Sequence, residues 1–269
     1  MISITKMRNT RAVVLLCFMN LSYSAFAQRD AGAEKQSCSE ATIHAVAKDL
    51  NIERFSLNAE GESVIVSSAC KPSPMNNALT IAAFAYDAGT EYERKLVLAI
   101  VDPAKGKVIS KYVGVISEDA AMRVEDRSLR LDTARYNLAE GVRAFGLDVT
   151  SGYMANCGDG GWGAVRTLYV QEGANIRPVL EDFIMSHWRF VQGGNPRCMS
   201  DEYAKKAPPT VIENQALSIS VLKNKTNGYA DLMVTAISSW DNGDKSKKIV
   251  SHTTLRYDGK KYPNTAPGF

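Results

Sequence analysis

Glycine, cysteine, aspartate, tryptophan and arginine crowd into one stretch, Asn156 to Val170, which reads NCGDGGWGAVRTLYV. Five of the seven residues from Cys157 to Gly163 are glycine or cysteine. Such a segment bends sharply, and a disulfide at Cys157 would limit its wandering. Two kinds of chemistry suit it: a catalytic loop or a restrained contact loop. A trypsin-like frame needs a serine in Gly-Asp-Ser-Gly, and Gly160 stands in that slot. Oxyanion donors without a nucleophile give no triad chemistry. The nucleophile elbow G-x-S-x-G is absent from the whole chain.

Recognition is the remaining use. Trp162 is the only large side chain between Cys157 and Gly163, with Asp159 and Arg166 on either side. It is either a lid folded back on the core or a surface anchor, tryptophan and arginine being enriched at interface hot spots. Trp240, just before Asp241-Asn242-Gly243-Asp244, is a second aromatic at the end of an apolar run. The candidate binding residues are Asp159, Trp162, Arg166 and Trp240.

Other chemistry is thinly represented. Asp132-Thr133-Ala134 has two residues of an aspartic-protease motif, without its glycine and without a second copy to share a proton. Glycoside hydrolysis needs only two carboxylates, and Glu118-Asp119, Glu125-Asp126 and Glu181-Asp182 could supply them. Asp241-Asn242-Gly243-Asp244 lacks the rest of a calcium loop and makes a tight turn more economically. No C-x-x-C or C-x-x-H spacing exists, and His44, His187 and His252 are far apart in the chain. No metal and no cofactor are expected.

The N-terminus carries a targeting signal. Lys6, Arg8 and Arg11 precede an apolar run from Ala12 to Leu21, and Ala25-Phe26-Ala27 offers small residues for cleavage. The run is too short for a spanning helix, which takes about 20 residues. Residues 1–27 therefore read as a signal peptide and 28–269 as one exported β-rich domain, with the periplasm as destination. Removing three basic residues from 32 leaves 29, against 29 acidic ones, so the mature chain is neutral. Nucleic-acid binders carry a basic excess, so no nucleic acid is expected as partner. No later segment approaches a membrane span.

Four cysteines remain after cleavage: Cys38, Cys70, Cys157 and Cys198. An even count in an exported chain predicts disulfides. Proximity along the chain favours Cys38–Cys70 and Cys157–Cys198 among the three possible pairings.

The elements that must position these residues are mostly strands. Ser39 caps a helix running to about Leu50, with Ile43, Val46, Ala47 and Leu50 on one face. Strand patterns follow, and "KLVLAIVDPAKGKVISKYV" is a hairpin turning at Pro103 to Gly106. A similar series ends in a turn at Gly173, and another at Gly259. The first two series share A-F-x-x-D, at Ala83 to Asp87 and Ala144 to Asp148, and the last two share L-x-V-T at Leu147 and Leu232. The predicted fold is all-β: three diverged four-stranded antiparallel meanders, at about 55–113, 128–180 and 217–263, with one N-terminal helix. Such units build either a propeller-like body or a large sandwich. "DFIMSHWRFVQGG" fits neither a strand nor a helix period.

The function expected is that of an exported, non-enzymatic binding protein of inhibitor or immunity type. Its expected partner is another envelope or exported protein, and its oligomeric state is open. The alternatives are an envelope glycan or peptide hydrolase using paired carboxylates, and an envelope assembly scaffold.

Overall fold

Two long runs, Asn76–Tyr86 (β2) and Glu93–Asp102 (β3), are apolar at almost every position through their second halves. A strand needs that composition only when both its faces are covered. In the computed structural model Ile81, Ala83 and Ala85 of β2 point into one core while Ala82, Phe84 and Tyr86 point into another. Leu96, Leu98 and Ile100 of β3 alternate with Val97, Ala99 and Val101 in the same way. The structure describes residues 36–57, 63–120, 122–151, 157–241 and 248–265. The signal peptide read at 1–27 lies outside these residues, as does Asn242-Gly243-Asp244.

The fold is all-β with an N-terminal helix. Ile65–Ser73 (β1), β2, β3 and Lys107–Ser117 (β4) form an antiparallel meander. Leu129–Ala139 (β5), Val142–Val149 (β6), Val165–Glu172 (β8) and Asn175–Ile184 (β9) form a second. One parallel contact, Lys111 opposite Asn175, joins them into an eight-stranded sheet ordered β1-β2-β3-β4-β9-β8-β6-β5. A five-stranded sheet, β13-β12-β11-β10-β7, uses Gly160–Trp162 (β7), Ser186–Gln192 (β10), Val211–Thr226 (β11), Tyr229–Asp241 (β12) and Lys248–Leu255 (β13).

These strands stack as a layered sandwich, not as a ring of blades. The helix Glu40–Leu50 (α1), capped by Ser39 at one end and by left-handed Asn51 at the other, lies in the outer core with Phe55, Phe84 and Val97. Leu98, Leu131, Phe145 and Tyr169 fill the core shared by the first two meanders. Leu168, Val179 and Phe183 of the second meander then pack with Leu217, Leu232 and Val234 of the five-stranded sheet. Each fully buried leucine contributes about 1.5–3 kcal/mol through the water it leaves.

The free edges of the eight-stranded sheet, β1 and β5, meet through the side chains of Gln36 and Ser67. The Gln36 carbonyl accepts from the Cys70 amide at 2.8 Å. Its side-chain amide meanwhile bonds Leu131 twice, accepting from the backbone N–H at 2.7 Å and donating to the carbonyl at 3.0 Å. The Leu129 amide donates to Ser67 Oγ at 3.0 Å across the same seam. Cys38–Cys70 holds the segment carrying Gln36 against β1, and Cys157–Cys198 closes the second loop. Bonds of this kind persist in oxidising compartments. No helix among the described residues is long and apolar enough to cross a membrane.

The third group of strands starts earlier than the pattern of 217–263 suggests. Its members are β10 to β13, with β11 beginning at Val211. Gly106 and Gly173, both at positive φ, sit in the β3–β4 and β8–β9 turns. Gly259 also has positive φ, but its turn does not lead into a strand. The chain instead buries Tyr262, whose backbone N–H donates to Val179 of β9 and whose hydroxyl donates to Ala230 of β12.

Candidate functional site

The glycine-rich stretch forms the edge of the five-stranded sheet. β7 pairs with β10, Trp162 standing opposite His187, Gly161 opposite Trp188 and Gly160 opposite Arg189. This short ladder continues the β8–β9 ladder, in which Arg166 stands opposite Phe183. Two backbone bonds carry it across the corner, from Met185 N–H to Ala164 and from Gly163 N–H to Ser186, each 2.8 Å. One bent ribbon thus passes from the middle layer into the outer sheet. The bend explains why "DFIMSHWRFVQGG" has no clean period: it is two strands in two sheets.

Close approach, more than flexibility, requires the glycines here. A Cβ on Gly161 would sit 2.9 Å from the Trp188 indole nitrogen, so the indole lies directly over this residue. A Cβ on Gly163 would collide with the Ser186 hydroxyl. The disulfide from Cys157 to Cys198 and the hydrogen bond from Asn195 Nδ2 to the Gly158 carbonyl (3.1 Å) anchor the stretch leading into β7. Trp188 in turn packs edge-to-face on Phe190 at 5.4 Å.

Trp162 is 50% exposed, on the face of the sheet opposite to Trp188. Pairing carries that face across the sheet, since directly opposed residues share a face. His187 stands opposite Gln215, and Gln215 opposite Ser238. One row further along, Arg189 stands opposite Glu213, and Glu213 opposite Trp240. The two tryptophans therefore bracket a polar strip on one face. Arg189 Nε is 2.7 Å from Glu213 Oε2, and Gln215 Nε2 donates to Ser238 Oγ at 3.0 Å. Burial pushes the His187 pKa down, so its ring is neutral near pH 7.

Arg166 stands two pairs further back on the ribbon, and its guanidinium is fully engaged. It chelates Asp148 with Nε at 2.6 Å and Nη2 at 2.8 Å, and Nη1 lies 2.6 Å from Asp132 Oδ2. Nη1 also donates to the Tyr136 hydroxyl at 2.9 Å, and that hydroxyl donates to Asp132 at 2.8 Å. Gly146 leaves room for the arginine stem, because a Cβ there would meet Asp132 and Arg166 at 3.2 and 3.4 Å. Burial opposes the Arg166 charge, yet the Asp148 hydrogen bonds, with the charges of Asp148 and Asp132 and the Tyr136 hydroxyl, together outweigh it and hold the proton more tightly than usual. Burial likewise raises the Tyr136 pKa. The network is a closed structural clamp.

Of the four candidate residues, Trp162 and Trp240 share the bracketed face, and Arg166 lies behind it in the clamp. Asp159 is exposed and precedes β7, its carbonyl accepting from the Phe190 amide at 2.9 Å. His187, Arg189, Glu213 and Gln215 were not singled out from sequence as a group, although a signal existed. Val221, Ile219 and Leu217 alternate inward along β11, and the same parity leads on to Gln215 and Glu213. The Asp of each A-F-x-x-D was also legible: Asp148 pairs with Arg166 on the next strand, and Asp87 with Arg94 at 3.3 Å.

The acidic pairs sit in unlike surroundings. Glu118 is buried against Arg94 (3.1 Å) and the Val124 amide (2.7 Å), while Asp119 is exposed. Glu125 and Asp126 are exposed at a turn, and Glu181 pairs with Lys261 at 3.0 Å. A cleft of about 500 Å³ is lined by Arg177, Pro178, Glu181 and Gly259 to Lys261. Its Arg177 is held by Glu172 and its Lys261 by Glu181, and Lys260 adds a third cation to the lining. No group of three His, Cys, Asp or Glu side chains among the described residues is arranged to hold a metal ion. No family model matches the chain, and no characterised protein or solved structure is similar to it.

Proposed function

We propose that this chain is an exported, non-enzymatic binding protein of inhibitor or immunity type. It works in the periplasm after cleavage behind Ala27, on another envelope or exported protein. The observation that carries the reading is the placement of Trp162: half exposed on an edge strand that a disulfide and close backbone packing hold in place. A rigid aromatic at the surface offers a partner a large contact area at little entropic cost. Neutral net charge, paired ionic groups and two disulfides fit a protein that persists outside the cytosol and waits for a partner.

Immobilised mature protein should retain one or more defined proteins from a periplasmic extract, and each should bind again after purification. Retention should fail with Trp162→Ala and persist with Trp188→Phe, which changes the opposite face. Turnover of an envelope glycan or peptide that disappears on replacing Glu181 or Glu118 would overturn the non-enzymatic reading. The chain should also begin at Gln28 when recovered from the envelope, and an N-terminus at Met1 would contradict export by cleavage.

A further inference from the structure

The two sheets have four edge strands, and three of them are protected. β1 and β5 bond to each other through Gln36 and Ser67. β7 is three residues long and anchored by the Cys157–Cys198 disulfide. β13 is different. It pairs with β12 in unbroken register over eight residues, from Leu255 opposite Leu232 to Lys248 opposite Ser239, and no strand lies on its other side among the described residues. Proteins usually blunt such an edge with a bulge, a proline, a charge in mid-strand or a covering loop. Lys248 to Leu255 reads KIVSHTTL, with no proline and with its one lysine at the end. Lys248 to His252 are all exposed, Ile249 by 49% and Val250 by 53%.

A row of backbone N–H and C=O groups open on one side takes up another extended strand. The sequence of β13 suits a second copy of itself. A two-fold axis normal to the sheet keeps each face continuous, so even-numbered residues must stand opposite even-numbered ones. Setting Ser251 opposite Ser251 of the other copy uses every exposed residue of the strand and leaves buried Leu255 outside. Lys248 then stands opposite Thr254, Ile249 opposite Thr253 and Val250 opposite His252, with no two lysines opposed. The next register toward the C-terminus would set Lys248 against Arg256, and the next toward the N-terminus would pair only residues 248–252 of the strand. The mature chain is neutral, with 29 basic and 29 acidic residues, so two copies approach without net repulsion.

We propose that β13 pairs antiparallel with β13 of a second copy, about a two-fold axis at Ser251, and joins two five-stranded sheets into one. The contact is isologous, so each copy uses up its own open edge and growth stops at the dimer. The outer edges of the joined sheet are then the two short β7 strands, at opposite ends. Trp162 of each copy stays free, and the dimer presents two contact surfaces at once. This goes beyond partner capture and does not rest on it, because three strands separate β7 from β13.

The test is sedimentation equilibrium of the mature protein across a wide range of concentration. The mass should approach that of two chains as concentration rises and return to that of one on dilution. Val250→Lys, at an exposed site, should weaken self-association by at least about tenfold with the thermal midpoint unchanged, whereas Trp162→Ala should leave the dimer intact. Cysteines read the register. Ser251→Cys would face its own copy at a Cα separation of about 4.5–5.5 Å, within disulfide reach, and should cross-link under mild oxidation. Thr253→Cys, which faces Ile249, should cross-link far less. The proposal fails if the wild type stays monomeric at every concentration, if Val250→Lys dimerises as the wild type does, or if Thr253→Cys links as readily as Ser251→Cys. A monomer holding an unlike exported protein along β13, or a dimer abolished by Trp162→Ala, would also overturn it. Should Val250→Lys not fold, the wild-type masses and the two cysteine variants decide the matter. A monomer that still captures its partner removes this contact alone; a dimer that captures nothing leaves it standing.

Discussion

Arg166 holds its charge and His187 its neutrality through their surroundings, and each makes that cost visible. Asp148 is chelated by Arg166, with side chains 6% and 12% exposed. Replacing it by alanine leaves a buried guanidinium half paired, which costs about 3–5 kcal/mol. Asp126 faces Arg127 at 3.7 Å with both side chains almost wholly exposed, so Asp126→Ala should move stability by less than about 0.5 kcal/mol. Urea unfolding of the two variants side by side measures the contrast; equal losses would contradict the clamp. His187 gives a pH dependence. Burial lowers its pKa below the ordinary 6.5, so the unfolded chain takes up the proton first. Its contribution is complete above the ordinary value and is lost as pH falls through it toward the folded value. Urea midpoints of the wild type should therefore drop between about pH 7.5 and 5, and His187→Gln should remove part of that slope.

Elements differ in how plainly the sequence announces them. α1 was readable from the Ser39 cap and its apolar face, and the β3–β4 hairpin from Pro103 and Gly106, because the forces involved are local. β2 and β3 were readable as strands, though not as strands buried on both faces until their two cores were seen. The disulfide pairing followed proximity, and both bonds are found as expected. The β7–β10 ribbon was not readable. Gly161 is glycine because Trp188 lies on it, and Gly163 because Ser186 stands beside it; neither neighbour is close in sequence. Arg166 looked like part of the glycine loop, yet its partners Asp132 and Asp148 come from β5 and β6. Gly160→Ala tests the ribbon: the added methyl would meet the Trp188 backbone carbonyl at 2.8 Å, which cannot rotate away, at about 1–3 kcal/mol, read as a lower denaturation midpoint. Joint replacement of Cys157 and Cys198 by serine should cost about 3–4 kcal/mol through the loop it reopens.

At the scale of the whole molecule, three layers of strand are held by cores that differ in how they are closed. The core between the first two meanders depends on a side-chain seam, where Gln36 stands in for a strand by bonding Cys70 on one edge and Leu131 on the other. Gln36→Ala removes both amide bonds and should lower stability by about 1–3 kcal/mol, with faster hydrogen exchange at Leu131 as the local signature. The layer beyond carries Trp162, half exposed on the edge strand β7, and that exposure allows contact without disturbing the cores. Trp162→Ala, measured for partner capture and for thermal midpoint on the same sample, tests that claim most directly. The account predicts capture weakened by about 2 kcal/mol or more, in the hot-spot range, with the midpoint nearly unchanged. Capture undiminished, with the midpoint lowered as for a lost core aromatic at about 3–5 kcal/mol, would contradict it.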